Sequence, residues 1–306
     1  MLVFQVKDIF LQNLHPATTL AYLAVIVAGA VVLSHPLFLL ALFISIFAVL
    51  VASGGMENWL QGGRFFFVLM AMLVLINTLV NNLGATVLLW GPVLPGLGRI
   101  TVTLETLVFA LIMGIRLITV FTAFMLYNLT INPDRALSLF ARFFPRSALL
   151  MALTTKTIPY LSQKLQSAGE IAQCRGVNFH TGSRFSRIRN RLPLLRVLFM
   201  SSLEDSFNIG ESIQARAYGS GPRTNYFQHS RRPGDILVMA ASLFALLLIA
   251  LSLILGWGGF AFYPRLDVMI VSMHQLVVLL GLFALLMLPF FAAWGWNKWN
   301  CLRWKI

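Results

Sequence analysis

Six separate stretches of this chain are apolar and close to the length that a helix needs to cross a lipid bilayer. About 20 residues, at 1.5 Å rise each, span the roughly 30 Å of hydrocarbon. Of the 306 residues, 58% are hydrophobic and only 11% are charged, whereas about a quarter of the residues in a soluble domain are charged. We therefore predict an all-α integral membrane protein with about six transmembrane helices. The stretches lie at about 17–33, 37–52, 65–90, 104–129, 235–256 and 268–294.

A long basic segment without any uninterrupted apolar span separates the fourth stretch from the fifth. This segment, residues 131–234, carries fifteen Lys or Arg residues against five Asp or Glu residues. Its apolar residues recur at helical spacing, which predicts helices on the cytoplasmic side of the membrane. The predicted division is a four-span block at 1–130, a helical segment at 131–234, and a two-span block with a basic tail at 235–306.

The loops between the predicted spans differ in positive charge, and this difference predicts their orientation. Cytoplasmic loops are enriched in Lys and Arg, and six spans place both termini on the same side. We therefore predict a multi-pass protein whose two termini are both cytoplasmic. The basic residues outside both the long segment and the predicted spans are Lys7, Arg64, Lys298, Arg303 and Lys305 on the cytoplasmic side, and Arg99 and Arg265 on the other.

Two features of the membrane block leave alternatives open. Asn81, Asn82 and Gly84 interrupt the third stretch, so residues 81–103 hold either a loop or an extra membrane element. Arg116 lies inside the fourth stretch, where a charge is costly unless it faces protein or water. It is either an interhelix residue or a transport residue, and we favour the interhelix interpretation.

The sequence lacks the motifs of most enzymes and cofactor sites. No GxxxxGK[ST] loop occurs, so the chain is not expected to bind ATP itself. No HExxH or comparable cluster occurs either, and we predict no catalytic residue, metal site or cofactor. Cys174 and Cys301 are expected to be free thiols. The net charge of +13 does not predict nucleic-acid binding, because most of the chain is apolar.

Two other classes of function remain as alternatives. One is a membrane-embedded enzyme that acts on lipid-linked substrates, and the other is a secondary transporter or channel. The membrane blocks offer few acids for either, and those acids lie near the ends of predicted spans. They include Glu57, Glu105 and Asp267.

A short motif occurs twice in the basic segment, at an offset of 41 residues. The two copies are GEIAQCRG at 169–176 and GESIQARA at 210–217, which align Glu170 with Glu211 and Arg175 with Arg216. In each copy the glutamate and the arginine are five residues apart, outside the spacing that favours an ion pair on one helix. The motif therefore predicts two arginines that their own helices do not neutralise.

Each arginine is followed closely by glycine, which predicts a position in the last helical turn. A cation there is stabilised by the helix dipole by about 0.3–1 kcal/mol, so C-terminal capping alone is one interpretation. Capping does not explain why glutamate, glutamine and arginine recur together. The alternative is a pair of equivalent contacts for a two-fold partner.

Five further arginines cluster between the two copies of the motif. Basic residues beside a membrane attract anionic headgroups by about 1 kcal/mol each, so contact with anionic lipid is one interpretation. A solvated helix face is the other. The cluster consists of Arg184, Arg187, Arg189, Arg191 and Arg196.

The sequences AQCRG at 172–176 and QARAYGSGPRT at 214–224 resemble the paired Ala-Arg-Gly signatures of a known family. This family is the transmembrane T component of energy-coupling factor (ECF) transporters, the EcfT/CbiQ family. The order of apolar blocks is similar as well. The chain departs from the signatures at Cys174, where the family usually has alanine, and at Ala217, where it usually has glycine.

The resemblance implies a non-catalytic scaffold in the inner membrane of a bacterium or an archaeon. Its expected partners are two ABC-type ATPase subunits, identical or different, and a membrane substrate-binding S component for a vitamin or a transition-metal ion. ATP-driven movement would pass through the scaffold to the S component. The residues that the family would use for ATPase docking are Arg175 and Arg216, with Ala172, Gly176, Ala215 and Gly219 for close approach and Glu170 and Glu211 for orientation.

Overall fold

The computed structural model describes residues 10–80, 86–94, 98–140, 144–177, 179, 184–221, 233–263, 266–267 and 272–298. The described residues are predominantly helical, which confirms the all-α fold class. The helices are α1 (Phe10–Asn13), α2 (Pro16–Val32), α3 (Pro36–Ala52), α4 (Met56–Val80), α5 (Leu104–Thr130), α6 (Pro133–Phe140), α7 (Pro145–Cys174), α8 (Arg184–Ala215), α9 (Pro233–Ile254) and α10 (Met273–Lys298). Two strands, β1 (Val87–Leu94) and β2 (Gly98–Thr103), lie between α4 and α5.

Each of the six predicted spans corresponds to one apolar helix. Within the described residues, α4, α5, α9 and α10 are long and apolar enough to cross a membrane. Helices α2 and α3 have 17 residues each, or about 25 Å. Helix α4 begins at Met56, earlier than the apolar pattern predicted. The more polar residues 56–64, before Phe65, are also helical. The predicted interruption at 81–84 and the basic tail at 299–306 lie outside the described residues.

Histidine–proline pairs begin the first two apolar helices. Pro16 and Pro36 occupy the first turn, where the missing N–H has no intrahelical partner to lose. The Nδ1 atoms of His15 and His35 accept hydrogen bonds from the backbone N–H two residues further on, at 3.2 and 3.4 Å. Burial lowers the pKa of His35, although the carboxylate of Asp267 acts in the opposite direction. The neutral ring is the form that can accept this bond.

One compact unit comprises Met1–Ala136 and His229–Ile306. In it, α3 packs against α10 and α5, while α2 packs against α9 and α5. The side chains of Ile26, Leu42, Leu126 and Leu282 are fully buried where these helices meet. Helix α5 therefore packs against both α2 and α3, which in turn contact α9 and α10.

Arg116 forms an interhelix contact in this bundle. Its Nη2 donates a hydrogen bond to the backbone carbonyl of Leu33 at 2.9 Å, and its Nη1 lies 3.4 Å from the sulfur of Met113. Leu33 caps the C-terminus of α2, where the last carbonyls lack intrahelical donors. The guanidinium thus joins the middle of α5 to the end of α2.

The region between α4 and α5 contains an antiparallel hairpin, a structure that the turn-rich sequence did not predict. Strands β1 and β2 pair from Val87 opposite Thr103 to Leu94 opposite Gly98, with two irregularities in register. Glu105 holds the residue before the hairpin, because its carboxylate accepts hydrogen bonds from the Thr86 hydroxyl at 2.7 Å and backbone N–H at 3.1 Å. This acid is buried and structural.

The second compact unit, Leu137–Gln228, contains α7 and α8. These helices have 30 and 32 residues, and Pro159 and Pro193 lie inside them. They pack against each other. Both copies of the repeated motif lie in this unit.

Candidate functional site

The first copy of the motif ends α7 with a specific pattern of backbone hydrogen bonds. Arg175 is the C-cap residue, and Gly176 follows it with a φ of +89°. The N–H of Gly176 donates to the carbonyl of Gln173 at 2.9 Å, and the N–H of Val177 donates to Ala172 at 3.0 Å. These are the two bonds of a Schellman motif, which fixes the end of a helix.

The second copy ends α8 in the same way. Arg216 occupies the position after the last helical residue, and Ala217 follows it with a φ of +53°. The N–H of Ala217 donates to Gln214 at 2.9 Å, and the N–H of Tyr218 donates to Ile213 at 3.3 Å. Arg175 and Arg216 are therefore equivalent in backbone structure as well as in sequence.

Both arginines are exposed, and neither is paired with another described residue. Over the described ranges, neither side chain makes a hydrogen bond, an ion pair or a ring contact. Each guanidinium is permanently charged and offers five donors in one plane. At the end of a helix its charge is stabilised by the dipole, but its donors stay available to another molecule. The two sites thus suit a carboxylate or exposed backbone carbonyls on a partner.

The glutamates of the motif are exposed beside the arginines. Glu170 accepts a hydrogen bond from Gln166 Nε2 at 3.1 Å, one turn earlier on α7. Glu211 is exposed on α8, and it has no side-chain partner among the residues that the structure describes. Both carboxylates are therefore accessible from outside the helices.

The predicted small residues lie at the helix ends, but they are not equivalent to one another. In the register of the repeat, Ala172 matches Ile213 and Ala215 matches Cys174. Gly219 has a φ of +95° and no glycine counterpart in the first copy. The equivalent pair is Gly176 with Ala217, which both adopt the left-handed conformation.

A second pair of glycines was aligned in the repeat but not assigned a role from the sequence. Gly169 and Gly210 lie inside α7 and α8, and a Cβ built on either would meet no atom within 4 Å. Glycine inside a helix costs about 1 kcal/mol relative to alanine, and packing against the described residues does not explain the two glycines. Open space at both positions would let another backbone approach each helix closely.

The two helices meet at residues that are also separated by 41 positions. Lys164 Nζ of α7 donates to Asp205 Oδ2 of α8 at 2.5 Å and to Ser201 Oγ at 2.7 Å. It also lies 4.6 Å from the ring centroid of Tyr160. The hydrogen bond to Asp205, followed by the contact with Tyr160, raises the pKa of Lys164, so the ammonium group stays charged at neutral pH.

This crossing relates the two motifs geometrically. Arg175 lies eleven residues beyond Lys164, and Arg216 lies eleven residues beyond Asp205. At 1.5 Å per residue, each arginine is about 16 Å along its helix from the same contact. Helices α7 and α8 therefore carry their arginines on two arms of equal length.

Other kinds of site are not suggested by the described residues. No group of three or more His, Cys, Asp or Glu residues among them could hold a metal ion. Cys174 is a free, exposed thiol beside Arg175, whereas Cys301 lies outside the described residues. The repeated arginine motif is thus the principal candidate site.

Comparison with known proteins finds a family match over most of the chain. Residues 8–226 match CbiQ, which is described as a cobalt transport protein. The chain is 24% identical over 248 residues to the ECF transporter transmembrane protein EcfT of Bacillus selenitireducens, covering 77% of this chain and 90% of that protein. It is 25% identical over 265 residues to EcfT of Clostridium kluyveri, covering 82% and 95%.

Proposed function

This chain belongs to the CbiQ family and is a transmembrane component of an energy-coupling factor transporter, and we propose that it couples two ATPase subunits to a substrate-binding subunit. It is a non-catalytic subunit in this proposal. The coupling segment is α7 and α8, and the ATPases bind the cytoplasmic side. Both chain termini are then cytoplasmic.

The observation that carries the proposal is the equivalence of Arg175 and Arg216. Each caps a helix that ends with the same two backbone bonds, and each lies unpaired on the surface of the described unit. An unpaired guanidinium that enters a groove with a carboxylate forms short, charge-assisted hydrogen bonds. Two such contacts fit two ATPase subunits, one for each arm.

The structure around each arginine supports a rigid contact. The Schellman bonds hold the backbone on both sides of the guanidinium, so less conformational freedom is lost when a partner binds. Gly169 and Gly210 leave space on the same helices for the partner's backbone. Glu170 and Glu211 would orient the arginines or meet basic residues of the ATPases.

The shared crossing suggests how movement passes from the ATPases. When the two ATPase subunits approach or separate during ATP hydrolysis, they would move the two arginine-bearing arms about the Lys164–Asp205 contact. The arms belong to one chain that is embedded in the membrane, so their movement would act on an S component beside it. The S component would select the solute, which is a vitamin or a transition-metal ion.

Charge reversal at both arginines tests the proposal. The variant Arg175→Glu with Arg216→Glu is expected to insert into the membrane normally but to lose co-purification with the ATPase subunits and ATP-dependent uptake. Lys156→Glu, an exposed charge reversal on α7 outside the motif, is the matched control and should keep both. Normal ATPase binding by the double variant would contradict the proposal.

A further inference from the structure

The N-terminal half of α8 exposes a continuous apolar stripe. Phe185, Ile188, Leu192, Leu195 and Phe199 follow one another at intervals of three, four, three and four residues. At about 100° per residue, these five side chains fall within an arc of about 80°. Their exposed fractions lie between 52% and 79%, so the described part of the chain does not cover the stripe.

Arginines border this stripe on both sides. Arg189 and Arg196 lie about 20–40° beyond one edge of the arc, and Arg191 lies about 40° beyond the other. All three are exposed. An apolar stripe with cations on both sides is the pattern of a helix that lies in the interface of a membrane, with its apolar side chains in the acyl boundary and its cations among the headgroups.

The stripe faces away from α7. Ser201 and Asp205, which contact Lys164 of α7, lie about 120–160° around the helix from the centre of the stripe. The α7 contact and the stripe therefore do not compete for the same face. Helix α8 can keep its crossing with α7 while the stripe binds something else.

Charge also changes along α8. The half before Met200 carries arginines and no acid, whereas the half from Met200 to Ala215 carries Glu204, Asp205 and Glu211 and no Lys or Arg. An anionic surface attracts the first half and repels the second. An anionic surface is thus expected to bind only the first half of α8. The end of α8, which precedes Arg216, then stays in water.

From these observations, we propose that the N-terminal half of α8 binds the surface of an anionic lipid bilayer. Phe185, Ile188, Leu192, Leu195 and Phe199 enter the headgroup boundary, and Arg189, Arg191 and Arg196 contact phosphate or carboxylate headgroups. The proposal rests on the membrane location of the chain and not on the docking of ATPases. The coupling segment would then contact the membrane through α8, in addition to its covalent connections to the membrane spans.

A polarity-sensitive fluorophore on the full chain tests this contact. The chain carries Cys174→Ser and Cys301→Ser, with one new thiol at Phe199→Cys or Leu195→Cys on the stripe. Val197→Cys is the matched control, because Val197 is similarly exposed but lies about 160° around the helix from each of those two positions. Each labelled chain is placed in nanodiscs of phosphatidylcholine alone or of phosphatidylcholine with phosphatidylglycerol.

We expect the two stripe labels to report an apolar environment in the anionic nanodiscs, and the control label to report water in both. Added salt should return the stripe labels to an aqueous environment. Each of Arg189→Gln, Arg191→Gln and Arg196→Gln should lower the ratio of membrane-bound to unbound stripe by about fivefold. Stripe labels that remain in water in anionic nanodiscs would overturn the proposal. Shielding that appears only after ATPase or S subunits are added, whatever the lipid charge, would assign the stripe to a protein and overturn it equally.

Discussion

Replacing Lys164 with methionine should free the crossing of α7 and α8 while leaving each helix intact. The substitution keeps a long unbranched side chain but removes the donor to Asp205 and Ser201 and the cation beside Tyr160. Methionine also has a high helix propensity. The expected change is therefore in the angle between the helices and not in their length.

The size of the change follows from the length of the arms. Cys174 and its counterpart at position 215 each lie ten residues beyond the crossing, which is about 15 Å of helix. Helix crossing angles of one packing class scatter by about 15–20°. A rotation of about 15° on a 15 Å arm moves its end by about 4 Å.

Distances between two spin labels can measure a movement of this size. Cys174 is already a free, exposed thiol, so Ala215→Cys and Cys301→Ser complete the labelled pair. We expect a narrow distribution of label-to-label distances in the parent chain. In Lys164→Met this distribution should be broader by about 4 Å. Lys164→Asp combined with Asp205→Lys should restore a narrow distribution, and Lys156→Met should leave the distribution unchanged.

An unchanged distribution in Lys164→Met would refute the reasoning, because the crossing would then be held by other contacts. Broadening in Lys156→Met as well would mean that any change in α7 disturbs the labels. If the crossing also transmits movement, Lys164→Met should keep ATPase co-purification while uptake per ATP hydrolysed falls.

Two further predictions concern the ends of helices. Ala217 has a left-handed backbone that glycine adopts without strain, so Ala217→Gly should stabilise the end of α8 by about 1 kcal/mol or less and slow hydrogen exchange at the Tyr218 amide. Ala215→Gly lies within the helix and should speed hydrogen exchange at the same amide. If both variants changed the exchange rate in the same direction, this explanation would be wrong. The pKa of His35 is lowered in the folded chain, so its contribution to stability is complete above its unfolded pKa of about 6.5 and is lost as the pH falls below that value. The melting temperature of the chain in detergent should therefore be lower near pH 5 than near pH 7.5. His35→Asn introduces a capping residue that does not titrate, so it should weaken this pH dependence. An unaltered pH dependence would exclude His35 as its source.

The apolar helices were predictable because their signals are local. Length and hydropathy place each span, and prolines such as Pro16, Pro36, Pro145 and Pro233 lie in the first turns where helices begin. The hairpin at β1 and β2 was not predicted, because Gly91, Pro92 and Pro95 indicate turns and the pairing joins residues on two separate strands. Sheet pairing is specified by contacts across the chain and not by periodicity.

The candidate site was partly predictable for a similar reason. The offset of 41 residues placed Arg175 and Arg216 in equivalent positions, and the helix ends have equivalent backbone bonds. The crossing was not predicted, because single-helix spacing carries no information on which residues of two helices meet. Lys164 and Asp205 are also 41 residues apart and form an ion pair. The sequence contains this spacing, but only the structure shows that the two residues meet.

Cross-linking from beside each arginine tests the central claim most directly. Cys174 adjoins Arg175, and Ala215→Cys adjoins Arg216, so a photo-reactive maleimide can be placed next to either motif in a Cys301→Ser background. The chains with a single thiol at position 215 or at the control position 156 also carry Cys174→Ser. In the assembled transporter, we predict that each single thiol gives an adduct with one ATPase subunit and that both thiols together give an adduct with two. Adducts that contain no ATPase, or equal ATPase adducts from a control thiol at Lys156→Cys, would contradict the claim that the two arginine motifs are the ATPase docking sites.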